Sequence, residues 1–576
     1  MKARDYQHGA VDATFNFFTQ HSTGNPVCVM PTGTGKSVVI AELCRRALMG
    51  WATTRILCAT HVKELVEQNA DKMRTYWPGA PVGVVAAGLD LREFNRPITF
   101  GSVQTLYKCI PALGHVDILL IDECHMVSDK ESSMYLQLIS GLLETNPRLR
   151  VVGFTATDYR LGKGKLAQDE GSIFTDVCFD MSTRQCFKWL FDQLYLAKLL
   201  PKRTDAVMKV EGLHTKNGDY DLKEAEIEAM RITESALHET LNIAGDRHHW
   251  LMFASGINHA EMMCELLNEL GVHSTVVHSK MPGGQRDDRI KAFKQGEYRA
   301  LVNNGILTTG FDDPKVDYLG VYRATKSSAL WVQILGRGTR PLFDTLYKPW
   351  HRPGEVLPVV KRDGKWHYDI DTLEGRRAAI ETSAKQNCLV GDFGGNTKRL
   401  GPINDPVVPV KKGSGKGGTA PVRECPQCGI YNHASVRECE FCGFEFPVHL
   451  NIETKAGTDA LIASDEDVKE YFEVDSITYK AHTKPGKPTS LEVSYYCKMR
   501  VFREFVCLSH TSAIRYRAEK WWRERCDIPP PNTTEEAIKS GAIDHLRAPE
   551  RILVVVNKRY PEIISYVFPE PSRAAA

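Results

Sequence analysis

Residues 30–37 read Met30-Pro31-Thr32-Gly33-Thr34-Gly35-Lys36-Ser37, between an apolar run at 26–30 and a segment, 37–49, whose apolar positions recur at helical spacing. A strand that turns through glycines into a helix aims successive N–H groups at one point, where the helix dipole favours an anion. In such a loop Lys36 neutralises β- and γ-phosphates, and the Ser37 hydroxyl is placed to ligate Mg²⁺. The strict pattern has glycine where Met30 stands. The strand–loop–helix setting outweighs that departure.

Working outward, further apolar runs at 55–60, 118–122 and 151–154 end in polar residues, and helical spacing fills the gaps, as at 63–76. This alternation predicts a parallel sheet covered on both faces, with ligands at the carboxyl ends of the strands. At 119–125 the chain reads Leu-Leu-Ile-Asp122-Glu123-Cys124-His125. Two carboxylates at the end of a buried strand, downstream of a phosphate loop, suit a division of labour. Asp122 holds the Mg²⁺ shell, while Glu123 orients and deprotonates the attacking water. Near the start, Arg4-Asp5-Tyr6-Gln7 has two readings: an amide that reads an adenine edge, or a surface turn.

A second α/β pattern runs from about 185 to 400, with strands expected at 250–254, 274–278, 300–303 and 318–322. Residues 409–420, rich in Gly, Lys and Ser, read as a linker. Beyond them stand Cys425-Pro-Gln-Cys428-Gly429 and Cys439-Glu-Phe-Cys442-Gly443. Two such knuckles can wrap one Zn²⁺ in four thiolates, with no open position, so the metal would be structural. Redox disulfide chemistry is the rival, and it lacks the βαβ setting it needs. The last segment has strand patterns at 489–498 and 502–508 and a helical one at 513–526. For Trp521-Trp522 we place core packing ahead of base stacking.

Composition sets the outer limits. The chain has 576 residues, 42% hydrophobic and 25% charged, with 73 Lys+Arg against 71 Asp+Glu. That length suggests several domains, and the net charge of +2 excludes a globally basic nucleic-acid glue, so any such site is a local stripe. No run nears the roughly 18 apolar residues of a membrane span, so no membrane role is expected. Residues 1–7 lack a secretory apolar core. The twelve cysteines outside the knuckles are scattered, several inside apolar runs, which suits a reducing, cytoplasmic compartment.

Taken in order, Gln7, the PTGTGKS loop, residues 122–125, Thr155-Ala-Thr157, Thr308-Thr309-Gly310-Phe-Asp312 and Gln333-Ile-Leu-Gly-Arg337-Gly-Thr-Arg340 resemble the motif series of a superfamily-2 helicase, over roughly residues 1–345. More narrowly, the chain is similar to RadD-type DNA-repair helicases of bacteria and their phage relatives, supported by 4–13, 60–69, 100–105, 392–396 and the cysteine knuckles. Asp158-Tyr159 departs from the Pro-Phe usual there.

The resemblance implies two tandem RecA-like parallel-sheet domains (1–182 and 183–400); the residues beyond them read as a linker (401–422), a zinc module (423–446) and a C-terminal α+β accessory domain for DNA or a partner (447–576). It implies ATP in the cleft, bound by Arg4, Gln7, Thr32, Gly33, Thr34, Gly35, Lys36, Ser37, Gly310 and Asp312. Catalysis would rest on Lys36, Asp122, Glu123, Gln333, Arg337 and Arg340, the arginines arriving from the second domain as the cleft closes. Thr60, His61, Lys63, Ser102, Gln104, Thr105, Ser255, Thr308 and Thr309 match positions that touch nucleic-acid phosphates. ATP, Mg²⁺ and Zn²⁺ are the implied cofactors. Single-stranded or branched DNA is the implied substrate, and a single-strand-binding protein a partner, in the cytoplasm of a bacterium or phage-infected host. The expected function is an ATP-driven DNA helicase or translocase in repair, recombination or replication. An RNA helicase, an ATP-switched DNA clamp and a restriction-type translocase subunit are the alternatives.

Overall fold

The computed structural model describes residues 2–61, 63–127, 133–160, 164–167, 172–216, 218–407, 422–434, 436–446, 469–483, 488–498, 500–510, 512–556 and 561–569. The chain divides into two units, Met1–His449 and Leu450–Ala576.

In the first unit, β1 (Pro26–Val29), β2 (Ile56–Thr60), β3 (Val82–Ala86), β4 (Leu91–Arg92), β5 (Ile98–Ser102), β6 (Ile118–Asp122), β7 (Arg150–Thr155) and a strand at Asp176–Asp180 form one sheet. Its order is Asp176–Asp180, β1, β7, β6, β2, β5, β3, β4, parallel throughout except for the β3–β4 hairpin. The predicted runs became β1, β2, β6 and β7, buried along nearly their whole length; β3 and β5, equally buried, were not anticipated. Helix Asp5–Gln20, helix Lys36–Gly50 and helix Lys63–Tyr76 pack on one another beside this sheet. Together these elements form a parallel-sheet RecA-like domain.

A second, six-stranded parallel sheet has the order Leu199–Lys202, Cys388–Asp392, Tyr318–Tyr322, Trp250–Ala254, Ala300–Asn303, Ser274–Val277. Leu199–Lys202 and Cys388–Asp392, the two strands at one side of this sheet, were not anticipated. Between helix Ser328–Leu335 and strand Cys388–Asp392 lies an insertion with a hairpin, Val359–Arg362 with Lys365–Tyr368, and helix Leu373–Glu381.

The four-cysteine segment folds onto this second domain. Strand Val422–Glu424 pairs with Tyr431–His433, the Arg203 amide donates to the Gly429 carbonyl (2.8 Å), and Ile430 is buried in the domain's core. Of the linker expected over 401–422, residues 408–421 lie outside the described residues. Residues 401–407 are packed: the Ser328 hydroxyl donates to the Val407 carbonyl, and Asp405 pairs with Arg184 and His433. The Gly/Lys/Ser composition that suggested a linker belongs to 409–420 only.

The second unit holds two three-stranded antiparallel sheets, Lys469–Glu473 with Arg551–Val555 and Glu562–Val567, and Ser476–His482 with Ser490–Cys497 and Arg500–Val506. Trp521 and Trp522, on helix Ser512–Arg523, are buried in this unit's core, as the packing reading required. Among the described residues no helix is long and apolar enough to cross a membrane.

Candidate nucleotide site

β1 leads into the phosphate loop, and Met30, at the glycine position of the strict pattern, is buried with its amide on the Thr155 carbonyl (2.8 Å). The loop can bend because Gly33 and Gly35 take φ of 91° and 83°, a region costly for residues with a Cβ. At Gly35 space matters as well, since a Cβ would stand 2.5 Å from the Gln7 amide nitrogen. Among the described residues the amides of Gly33, Gly35, Lys36 and Ser37 enter no backbone hydrogen bond, which leaves them for a ligand.

Asp122 ends β6. Glu123 follows in the left-handed region (φ 52°), an uncommon conformation for a residue with a side chain. This turn brings the Glu123 carboxylate to 3.2 Å from the Lys36 ammonium. Burial raises the Glu123 carboxyl, but Lys36 and then His125 outweigh it and hold the group below the ordinary carboxylate range. Burial, with the neighbouring Glu123 charge adding to it, pushes Asp122 up. Asn69 bridges the remaining partners: it accepts from the Ser37 hydroxyl (2.6 Å) and donates to Asp122 (2.9 Å). Asn69 was not among the predicted site residues, although the segment 60–69 was singled out.

The second domain closes directly over this loop. Thr339 donates to the Thr32 carbonyl (3.2 Å), Gln333 lies 3.0 Å from the His125 ring, and Gln68 donates to the Gly310 carbonyl. The resulting cleft, about 280 Å³, is lined by Thr32, Gly33, Gly35, Lys36, Ser37, Asp122 and Glu123 from one side. Gly310, Asp312, Arg337 and Arg340 line it from the other. Arg337 donates to the Phe311 and Thr308 carbonyls, and Arg340 pairs with Asp312. Burial, then the like charge of Arg340, lowers the Arg337 guanidinium to about 9. The Arg337 Nε, the Arg340 Nη1 and the Glu123 Oε2 are buried there without hydrogen-bond partners. Orphaned donors on both arginines, open loop amides and oxygen ligands at Ser37 and Asp122 fit a triphosphate with Mg²⁺.

Gln7 and Thr34 sit behind the cleft wall. The Gln7 amide donates to the Thr34 carbonyl (2.8 Å) and accepts from the Arg4 amide (2.9 Å), and Tyr6 donates to the same carbonyl (2.8 Å). Gln7 therefore braces the loop, while Arg4 lines the cavity.

Many of the residues matched to nucleic-acid contacts turn inward. Thr60, Ser102, Thr105, Ser255 and Thr308 are buried. Ser255 donates to the Tyr322 carbonyl (2.9 Å), Thr308 to the Gly305 carbonyl (3.1 Å), and the Ser102 and Thr105 hydroxyls lie 3.0 Å apart. Hydroxyls engaged this way brace the strand ends. His61, Gln104 and Thr309 remain half-buried. Lys63 begins its helix, and its side chain lies outside the described residues. Spacing alone could not separate the two groups, because serine and threonine serve both roles.

The four knuckle sulfurs lie within 4.8 Å of one another, with Cys425–Cys442 and Cys428–Cys439 each at 3.6 Å. None of the four is in a disulfide. A zinc tetrahedron with Zn–S of about 2.3 Å has sulfurs ~3.8 Å apart, so the donor set fits. The Asn432 side chain donates to the Cys439 sulfur (3.5 Å), as expected around metal thiolates.

The fold and cleft define a class: two RecA-like domains enclosing a phosphate loop, a paired carboxylate and two facing arginines. Residues 1–160 match the family described as "Type III restriction enzyme, res subunit", and residues 233–341 match "Helicase conserved C-terminal domain". The chain thus carries the two-part core of the superfamily-2 helicases, a family of ATP-hydrolysing enzymes.

Among its relatives is the "Putative ATP-dependent helicase IRC3" of Saccharomyces cerevisiae, 26% identical over 353 residues, covering 58% of this chain and 49% of that protein. Nucleolar RNA helicase 2-A of Xenopus laevis is 21% identical over 58% of this chain and 44% of its own length. DNA 3'-5' translocase XPB2 of Sulfurisphaera tokodaii is 24% identical over 58% of this chain and 78% of its own length. The chain spans about half the length of the yeast relative.

Proposed function

We propose that this chain is an ATP-driven DNA helicase or translocase of the RadD type, acting on single-stranded or branched DNA in repair, recombination or replication in the cytoplasm. One observation carries the motor reading: Lys36 and Glu123 of one domain and Arg337 and Arg340 of the other line a single cleft. In the reading offered, Ser37 and Asp122 hold Mg²⁺, which when bound offsets phosphate charge. Glu123 takes the proton of the attacking water. Lys36, Arg337 and Arg340 accept the charge that develops on the phosphates, an effect of ~10³–10⁵ in rate for arginines supplied this way. Because the arginines reach the phosphates only across the cleft, hydrolysis is tied to the relative position of the two domains. A strand held by both would then advance.

The four cysteines are assigned a structural zinc. The choice of DNA and a single-strand-binding partner rest on the sequence resemblance. The deciding experiment is the ATPase rate of the full chain with no polymer, single-stranded DNA, duplex, forked DNA and RNA, paired with strand displacement on forked DNA. Stimulation by DNA with displacement supports the proposal. Stimulation by RNA alone selects an RNA helicase, and ATP-dependent DNA affinity without displacement selects a clamp.

A further inference from the structure

Arg376 lies in the insertion that follows helix Ser328–Leu335, outside both family-matched stretches, and is 2% exposed. No carboxylate pairs with it among the described residues. Its guanidinium is instead fixed by neutral carbonyls: Nε donates to the Gln193 backbone carbonyl (2.7 Å), Nη1 to the carbonyls of Ile370 and Asp371 (3.0 Å each) and Nη2 to the Gln193 side-chain oxygen (3.3 Å). A buried cation held this way, without a counter-charge, is costly to keep, so what it touches matters. Its carbon stands 4.3 Å from the centre of the Tyr195 ring. On the same ring, at 4.2 Å, stands the guanidinium of Arg4. Tyr195 and Arg4 both line the cleft beside Gly33 and Gly35. Since the Gln7 amide is engaged with Thr34 and Arg4, Arg4 is the planar group of this N-terminal segment that the cavity meets.

We propose that Tyr195 and Arg376 are positioning residues that hold the Arg4 guanidinium flat as the plate on which a purine base stacks. The inference rests on the nucleotide-site reading above and assigns its base end. Guanidinium planes stack on aromatic faces, and a two-ring base covers such a plane better than a one-ring base. Arg376 belongs to the second domain and Arg4 to the first, so the plate is complete only when the cleft is closed. Base binding would then favour the closed form.

The test is equilibrium binding of ADP, CDP and pyrophosphate, each with Mg²⁺, to the full chain by calorimetry. Pyrophosphate reads the phosphate end alone. In the wild type ADP should bind more tightly than CDP. Arg376→Ala and Tyr195→Ala should each weaken ADP by about tenfold, erase most of the ADP–CDP difference, and leave pyrophosphate within about twofold. Tyr195→Phe, which keeps the ring, should hold ADP within about threefold of wild type, and this pair serves even if Arg376→Ala does not fold. Equal losses of ADP and pyrophosphate, or an unchanged ADP–CDP ratio, overturn the proposal. A wild-type chain that binds ADP over CDP yet hydrolyses no ATP defeats the ATPase reading and leaves this one standing. A chain that binds neither ADP nor pyrophosphate defeats both.

Discussion

A Cβ placed on Gly336 of the second domain would stand 2.5 Å from the Cβ of Thr32 in the phosphate loop. The backbone of Gly336 is helical (φ −59°), so alanine is acceptable there by itself, and Thr32 is the obstacle. Gly336→Ala should wedge the cleft: ATP turnover falls at least about tenfold, since small displacements of catalytic groups are costly, while thermal stability changes little. Thr32→Gly in the same chain should restore part of the lost turnover. Additive losses in the double-mutant cycle would refute the contact as the cause.

Glu123 combines a strained backbone with an ion pair to Lys36. Glu123→Gln keeps the shape and removes the base. Hydrolysis should drop by about 10²–10⁴, with ADP affinity retained. Steady-state ATPase and ADP titration on the same preparation check this; a parallel loss of both would mean that the residue shapes the loop instead.

The cysteine module should carry one zinc per chain by elemental analysis, and Cys439→Ser should lose most of it. Because Ile430 and Gly429 dock on the second domain, the variant should also melt earlier. Wild-type protein free of zinc after purification without chelators would reject the assignment.

His259 is fully buried, 3.0 Å from the Thr233 hydroxyl, and burial lowers its ring to about 4. In the unfolded chain it titrates near its ordinary value of ~6.5. The unfolded state therefore takes up the proton first as pH falls. The stability this residue contributes is complete above pH ~6.5 and is lost progressively toward pH 4, by about 3 kcal/mol in total. Urea unfolding at pH 7 and pH 4.5 should show a larger fall for wild type than for His259→Gln; identical falls would show that the ring titrates normally.

Much of this molecule was legible before folding was considered. The phosphate loop and the Asp122-Glu123 pair stood out because each places a residue type at a fixed offset from a strand end, whereas Arg337 and Arg340 were reached through the resemblance to the helicase motif series. Several buried strands announced themselves as apolar runs, but β3, β5 and Cys388–Asp392, buried along their whole length, did not. Strand Leu199–Lys202 was missed as well, since its four residues include Pro201 and Lys202 and leave too little apolar pattern to mark a strand. So were Asn69, Tyr195 and Arg376, whose roles come from partners 53, 191 and 181 residues away at Asp122, Arg4 and Tyr195.

The sequence alone determined which chemical groups are present and which local turns can carry them, because glycine torsions, helix starts and metal spacing are short-range properties. Only the tertiary structure decided which hydroxyls turn inward, as Ser255 and Thr308 do, and which side chains of the two domains meet across the cleft. Those outcomes depend on the packing of segments far apart in the chain, and burial is a property of that packing rather than of any one residue.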